Sequence, residues 1–213
     1  MHTLQVTMLL VSSAAFTAAA VIHVQPGAGT LQAALNAANA GDELVLADGT
    51  YTSGNVVGGS VGDISKSITI RAQNPRGAIL DGQNVYRGLD ITSGTVVLDG
   101  LDITRGRNGV NIHTRGSVTF DNCNIYSNAA SVSCPGTTHC KAGGVGVSSG
   151  TVSFINCQFS SNNARYGPAI YFWCSCAVCS FRTSGLTAQS VRLKNTLSNI
   201  PHAIRKCKRR AEL

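Results

Sequence analysis

The middle of the chain repeats one pattern of hydrophobic and polar positions. Each unit begins at a glycine and continues as three short segments of alternating apolar and polar residues, which Gly-rich or polar turns separate. Complete units begin at Gly88, Gly109 and Gly144, and a further unit begins at Gly167 and breaks off after Phe172. Alternation with a period of two is typical of β-strands and does not fit an amphipathic helix.

The repeat predicts an all-β fold, a right-handed parallel β-helix. Because the turns recur in the same order at every third strand, equivalent strands are expected to stack in parallel about 4.8 Å apart, with one coil per repeat. Asn122 and Asn156 occupy the same polar turn of successive coils, so we expect their side-chain amides to hydrogen-bond as an asparagine ladder. The inward columns are predicted to be Val96, Val118 and Val152; Leu98, Phe120 and Phe154; and Ile103, Ile125 and Phe159.

The segment before the repeat is expected to close the open end of the β-helix. Residues 21–24 alternate as a first strand, and Thr30 can cap a short amphipathic helix over residues 31–39 that ends before Gly41. Such a helix covers strand edges that would otherwise pair with another chain.

Residues 1–20 have the pattern of an export signal, because a short apolar run ends in three alanines before Val21. The alternative is a buried first segment, since no Lys or Arg precedes the run. The chain is therefore divided into a signal peptide over 1–20, a β-helix domain with its cap over 21–172, and a Cys-containing basic tail over 173–213. We expect the tail to be helical or disordered.

Composition narrows the possible functions. Hydrophobic residues make up 43% of the chain, enough for a buried core, and charged residues only 13%, too few for a typical helical bundle. The net charge is +7, but acidic and basic residues balance over 1–180, so the excess lies in 181–213. A basic tail on a neutral body is typical of a solvated end, so no nucleic-acid partner is expected. The apolar run near the N-terminus is too short to span a membrane.

The chain has eight cysteines, which favours an oxidising compartment. Cys134 and Cys140 lie in an insertion over 129–142 and are predicted to form a disulfide within it. Cys123 and Cys157 fall in one inward column on successive coils, so either a disulfide or a stacked pair of buried thiols is expected.

Two stretches resemble a known superfamily. Leu31-QAALNAANAGDELVLADGTY, followed by Ser67-ITIRAQNP, is similar to the opening of secreted β-helix proteins of the pectin-lyase-like superfamily, and most similar to the alginate lyase and chondroitinase B group. The resemblance implies a groove along one strand face that binds uronate-containing polysaccharide. It also implies a secreted or cell-surface protein, which we expect to be a monomer.

The resemblance assigns the groove floor to the strands at 89–92, 110–113, 145–148 and 169–171. Side chains that alternate with the buried ones face outward there, and the flanking loops contribute cations. Tyr171 is expected to be exposed and suited to sugar stacking. The candidate substrate-binding residues are Asp90, Asn111, Tyr171, Lys141 and Arg165.

Eliminative cleavage of a uronan needs a neutralised carboxylate and a base that removes the adjacent proton. We predict His113 as the base and Arg105 and Arg107 as the neutralising cations. The resemblance also allows Ca²⁺ in this role, although no residue of this chain matches the family's calcium ligands, and no metal site is predicted. Hydrolysis is disfavoured, because it needs two carboxylates and the predicted floor offers only Asp90.

The sequence leaves three functions open. The protein can be lyase-like and act on an acidic polysaccharide, or it can be a non-catalytic glycan-binding or surface adhesin module. It can also be a truncated, inactive fragment, because the repeat supplies few coils before Phe172.

Overall fold

A computed structural model describes residues 18–54, 59–130, 142–164, 167–172, 179–184, 187–188 and 191–193. Its strands stack in parallel into three sheets, and one short helix precedes the first full coil. Each coil contributes one strand to each sheet in turn, so the chain winds as a solenoid. The predicted parallel β-helix with an N-terminal capping helix is therefore confirmed.

The three sheets run along the axis of the solenoid. Sheet A contains β1 (Val21–Val24), β3 (Glu43–Leu46), β6 (Ile68–Ala72), β9 (Val96–Asp99), β12 (Ser117–Asp121), β15 (Gly150–Ile155) and β18 (Cys179–Ser184). Sheet B contains β2 (Gly27–Ala28), β4 (Gly49–Thr52), β7 (Ala78–Asp81), β10 (Asp102–Thr104), β13 (Asn124–Tyr126), β16 (Gln158–Ser160) and β19 (Thr187–Ala188). Sheet C contains β5 (Ser60–Ile64), β8 (Arg87–Ile91), β11 (Val110–Ile112), β14 (Val145–Val147), β17 (Ile170–Phe172) and β20 (Val191–Leu193).

The core is built from inward columns, as predicted. Leu98 pairs with Phe120 and Phe120 with Phe154 across sheet A, and the other two predicted columns are likewise in register. The rings of Phe120 and Phe154 stack with centroids 4.8 Å apart, and Phe159 meets Phe154 edge-on at 5.3 Å. Neighbouring strands of a sheet are evenly spaced, so large apolar side chains of one column stack at van der Waals distance and pack the interior.

The helix α1 (Thr30–Ala37) covers the first coil. Leu31 and Leu35, one turn apart, are 0% and 2% exposed and face the core. The predicted cap is wrong in detail. Thr30 is the first helical residue, and the N-cap is Gly29 in the left-handed region with φ of 72° and no side-chain cap. The hydroxyl of Thr30 instead donates to the Gly27 carbonyl at 3.2 Å.

The C-terminal end of α1 is held by a lysine from the next coil. Lys66 Nζ donates to the carbonyl oxygens of Leu35 at 2.9 Å and Ala38 at 2.6 Å. These carbonyls have no partner within the helix, and a cation there also offsets the negative end of the helix dipole. Lys66 therefore fixes α1 on the solenoid.

The corner between sheets A and B is a left-handed turn in successive coils. Gly100, Asn122 and Asn156 have φ of 65°, 50° and 52°. The side chains of Asn122 and Asn156 are exposed and make no hydrogen bond to each other among the described residues. The predicted ladder at these positions is therefore wrong, because asparagine serves here for its tolerance of the left-handed conformation.

A buried asparagine ladder lies instead at the corner between sheets B and C. Asn128, which is 0% exposed, donates through Nδ2 to Ile103 O at 2.9 Å, to Tyr126 O at 3.0 Å and to Asn162 Oδ1 at 3.0 Å. Its own Oδ1 accepts from the Gly106 N–H at 2.7 Å. One side chain thus satisfies backbone groups on several coils.

Cys123 and Cys157 are free, buried thiols. Cys123 Sγ donates to Leu98 O at 3.4 Å, and Cys157 Sγ donates to Ile155 O at 3.2 Å. The contact with Cys157 and burial both raise the pKa of Cys123. The structure therefore corrects the possible disulfide in favour of the stacked thiols, whereas Cys134 and Cys140 lie outside the described residues.

The coils continue beyond the predicted end of the domain at Phe172. β18, β19 and β20 extend sheets A, B and C by one further strand each. This coil lacks the leading glycine of the earlier units, so the repeat pattern did not reveal it. No helix within the described ranges is long and apolar enough to cross a membrane.

Candidate functional site

The outward face of sheet C carries a column of polar side chains, here called the floor column. Asp63, Asp90, Asn111, Gly146 and Tyr171 are successive partners along the sheet. The register predicted for the groove floor is present over Asp90, Asn111 and Gly146, whereas the last strand is shifted so that Tyr171 pairs with Gly146. The structure adds Asp63, which precedes the repeat and was missed.

A second column follows the strand ends. Thr92, His113 and Ser148 occupy equivalent positions, because their backbone N–H groups donate to Ile64 O, Ile91 O and Ile112 O at 2.8 to 2.9 Å. His113 and Ser148 are half-buried, whereas Thr92 is exposed. The two columns bring an imidazole between a carboxylate and a hydroxyl group.

This arrangement is the Asp90–His113–Ser148 chain. Asp90 Oδ1 lies 3.3 Å from His113 Nε2, and His113 Nδ1 lies 3.1 Å from Ser148 Oγ. The carboxylate–imidazole contact is an ion-pair distance without hydrogen-bond alignment, since Asp90 Oδ1 has no hydrogen-bond partner in the described part of the chain. Such contacts commonly tighten when substrate binds.

Asp90 and Asn111 both lie beside Nε2 of His113 and influence which ring nitrogen carries the proton. A carboxylate can only accept, so it favours a proton on Nε2 and leaves the Nδ1 lone pair facing the Ser148 hydroxyl. The Asn111 amide nitrogen lies 2.7 Å from Nε2. Since amide oxygen and nitrogen exchange places by rotation, Asn111 can also present its oxygen to the Nε2 proton.

Asp90 thus lies beside His113 and is placed to orient the imidazole, while the substrate contact predicted for it stays a prediction. Its side chain is only 20% exposed, and its Oδ2 lies 3.5 Å from Arg87 Nη1. Arg87 offsets the carboxylate charge from the same strand, a role that sequence pattern alone did not single out.

The predicted cations differ in their surroundings. Arg105 forms a two-point ion pair with Asp81, through Nε at 2.9 Å and through Nη2, and this partner raises the pKa of Arg105. Arg105 is therefore paired with Asp81, although its side chain is 54% exposed, and its role as a neutralising cation stays a prediction. Arg107 is exposed beside Tyr86, to whose carbonyl its backbone N–H donates at 2.8 Å. Arg115, also exposed, lies in the turn after His113 and was missed.

Other predicted contacts are not brought to the surface. Tyr171 is 5% exposed and cannot offer a ring face to a sugar, because it packs into the floor as part of a three-residue buried strand. Asn111 is 6% exposed, and its amide nitrogen lies 2.7 Å from His113 Nε2. Lys141 and Arg165 lie outside the described residues. Tyr86 is half-buried, and its carbonyl accepts from the Arg107 N–H.

The described residues do not fit a calcium site. They contain no group of three or more His, Cys, Asp or Glu side chains placed to hold a metal ion. Ca²⁺ binds through six to eight oxygen ligands, several of them carboxylates.

No family model and no curated protein matches the chain. Among solved structures, the alginate lyase from Paenibacillus sp. str. FPU-7 is similar at 19% identity and a TM-score of 0.39, over 78% of this chain and 64% of that one. The PL6 family alginate lyase AlyGC is similar at 13% identity and a TM-score of 0.39, over 84% of this chain and 41% of that one. This chain thus spans less than two thirds of either structure.

Proposed function

We propose that this protein binds an acidic, uronate-containing polysaccharide across the outer face of sheet C and cleaves it by β-elimination. The proposal depends on the Asp90–His113–Ser148 chain, which places an oriented imidazole in the middle of the floor. Arg107 and Arg115 stand in the turns on either side of β11 and are exposed. Cations at both rims attract a polyanion to the face between them.

The geometry gives each residue a step in the reaction. Arg107 or Arg115 neutralises the uronate carboxylate, which acidifies the proton on the adjacent C5 carbon. His113 Nδ1 accepts this proton, either directly or through the Ser148 hydroxyl that lies 3.1 Å away. The C4–O glycosidic bond then breaks, a C4=C5 double bond forms, and the departing oxygen takes a proton from water. His113 returns its proton to the hydroxide that is left, which restores the base.

The test is an assay of the secreted, full-length protein on alginate, pectate and chondroitin sulfate. Elimination yields ultraviolet absorbance from the new double bond. We expect His113→Ala to abolish this product with little change in polysaccharide binding, as for a group that acts only in the transition state. Thr92→Ala, at the equivalent position one coil earlier, is the matched control and should retain activity.

Two results would contradict the proposal, the first for the role of His113 as base and the second for elimination itself. One is unchanged product formation by His113→Ala. The other is the release of reducing ends without ultraviolet absorbance, which indicates hydrolysis. Asp63 and Asp90 are register partners on the floor and could supply the two carboxylates that hydrolysis needs.

A non-catalytic glycan-binding module is the second candidate function. It is favoured by the contacts of the imidazole, because both ring nitrogens have polar neighbours, at 2.7 Å and 3.1 Å. In this case the protein binds an acidic polysaccharide with salt-dependent affinity and forms no product. Arg107→Ala and Arg115→Ala weaken the binding, whereas His113→Ala does not.

A further inference from the structure

Ser148 lies at the end of a chain of groups that elimination does not require. Its hydroxyl is 3.1 Å from His113 Nδ1 and 3.1 Å from the Ile112 carbonyl oxygen. A hydroxyl has one proton and can donate it to only one of these acceptors at a time. When the imidazole proton is on Nε2, on the side of Asp90, Nδ1 carries a lone pair that can accept the Ser148 proton.

A hydroxyl, a base and a carboxylate in this order form the arrangement that activates a serine nucleophile. In the serine proteases the serine faces Nε2 and the carboxylate faces Nδ1, whereas here the two nitrogens are exchanged. The exchange leaves the chemistry intact, because imidazole accepts a proton on one nitrogen while the other stays hydrogen-bonded. Asp90 lies in β8, and His113 and Ser148 directly follow β11 and β14, so sheet register holds the three side chains together.

Gly146, two residues earlier on the same face, adds no side chain beside the Ser148 hydroxyl. The space over Gly146 is closed, because a Cβ built there would lie 3.3 Å from Ala142 Cβ and 3.5 Å from Asn111 Oδ1. An acyl group would therefore reach Ser148 from the solvent side. Ser148 itself is half-buried rather than enclosed.

We propose that Ser148 is the nucleophile of an esterase activity that removes small acyl groups, such as acetyl, from polysaccharide hydroxyls. The choice of a sugar ester rests on the proposed function, whereas the nucleophile itself does not. The inference adds an activity at the same face, in which His113 serves Ser148 instead of a sugar carbon.

The reaction balances without a further reagent. Ser148 Oγ attacks the ester carbonyl carbon as its proton moves to His113 Nδ1. The bond from the acyl carbon to the sugar oxygen breaks, and this oxygen takes the proton from Nδ1. Water then attacks the acyl-serine with the same base, which releases the carboxylic acid and restores the hydroxyl.

The experiment uses the full chain with p-nitrophenyl acetate and with acetylated alginate, and measures nitrophenol and acetate release. We expect Ser148→Ala to lower release at least about tenfold. Ser149→Ala is the matched control, because the Ser149 hydroxyl donates to Thr114 O at 2.9 Å and is not part of the chain of groups. Its activity should equal that of the parent.

A covalent probe makes the result independent of variant folding. A fluorophosphonate reacts with activated serines, and peptide mass spectrometry of the treated parent should find it on Ser148 and not on Ser149. Labelling at another site, no labelling and no ester cleavage by the parent, or equal release by Ser148→Ala would overturn the inference. Acetate release without unsaturated products would support the esterase activity and contradict elimination. Unsaturated products without acetate release would support elimination and contradict the esterase activity.

Discussion

At the scale of single residues, the site depends on one carboxylate that orients one imidazole. Asp90 lies 3.3 Å from His113 Nε2 and is itself offset by Arg87. Without this carboxylate, the proton on His113 would be free to occupy either nitrogen, and Nδ1 would lose its fixed role as an acceptor. Both activities proposed for this face need that acceptor.

We therefore expect Asp90→Asn to change the tautomer of His113. Nitrogen-15 NMR of the ring should show mainly the Nε2-protonated form in the parent and a larger Nδ1-protonated fraction in the variant. Asp63→Asn, which alters the neighbouring carboxylate of the floor column, is the control and should leave the His113 spectrum unchanged. Equal tautomer populations in the parent and in Asp90→Asn would show that Asp90 does not orient the ring.

The asparagine ladder shows what sequence spacing can and cannot predict. Asn122 and Asn156 recur at the same interval as Asn128 and Asn162, so a repeat alignment ranks both pairs alike. What separates them is burial, since Asn128 is 0% exposed and Asn122 is exposed. Burial depends on which way a corner turns, and this follows from three-dimensional packing rather than from the repeat.

Asn128→Ala should therefore lower the free energy of unfolding much more than a substitution of Asn122 does. It removes bonds to the carbonyls of Ile103 and Tyr126 and strands the buried N–H of Gly106. We expect a loss of about 2–4 kcal/mol in the free energy of unfolding, measured with urea. Asn122→Gly keeps the left-handed turn and should change the free energy of unfolding by less than about 0.5 kcal/mol. Similar effects of the two substitutions would contradict the ladder.

Two aspartates predict opposite pH dependences. Backbone N–H groups of Ala20 and Asn39 lower the pKa of Asp42, whereas burial raises the pKa of Asp102. A lowered pKa adds stability that is present above the unfolded value of about 3.9 and is lost as the pH falls through the folded pKa. A raised pKa does the reverse, because charging the buried carboxyl costs free energy until the pH falls through the folded pKa and protonates it.

Asp42→Asn should thus be less stable than the parent at neutral pH, and Asp102→Asn at least as stable as the parent. Both differences should shrink as the pH is lowered to about 3. Urea unfolding of the two variants and the parent at several pH values measures this. Destabilisation by Asp102→Asn that persists at low pH would show that its carboxylate is needed for another contact.

At the scale of elements, the inward columns of the sheets were predicted correctly, whereas the start of the capping helix was not. Strand periodicity predicted every inward column in the complete units, because burial repeats at each coil. Thr30 was misplaced, because a left-handed Gly29 can start a helix without a side-chain cap. Tyr171 was expected outside because alternation gives only the side of the sheet, whereas its 5% exposure depends on what covers that side.

The capping helix gives a prediction at this scale. Lys66→Met keeps the apolar stem but removes the donors to Leu35 O and Ala38 O. We expect about 1–2 kcal/mol less stability and faster hydrogen exchange of the α1 amides than of the amides in β12. Arg71→Met, which removes a partly exposed ion pair with Glu43, should lower the stability less than Lys66→Met does. Unchanged exchange in α1 would show that packing alone holds the cap.

At the scale of the whole molecule, charge is separated from fold. Acidic and basic residues balance over 1–180, and the net charge of +7 lies in 181–213. A polyanion can therefore be attracted by two different parts of the chain. Attraction to the tail depends only on charge, whereas binding across sheet C depends on Arg107 and Arg115 in fixed positions beside the floor.

A truncation after Leu193 separates the two contributions, since it keeps β20 and removes most of the excess cations. We expect the shortened chain to lose affinity for polyglutamate, a polyanion without sugars, and to keep affinity for a uronan. Binding to both polymers, measured at low and high salt, gives the comparison, because exposed charges are screened within about 10 Å at 0.1 M salt. Adding Arg107→Ala and Arg115→Ala to the truncated chain should then remove uronan binding. If truncation lowers the affinity for the two polymers equally, the tail is responsible for binding, and sheet C is not the polysaccharide surface.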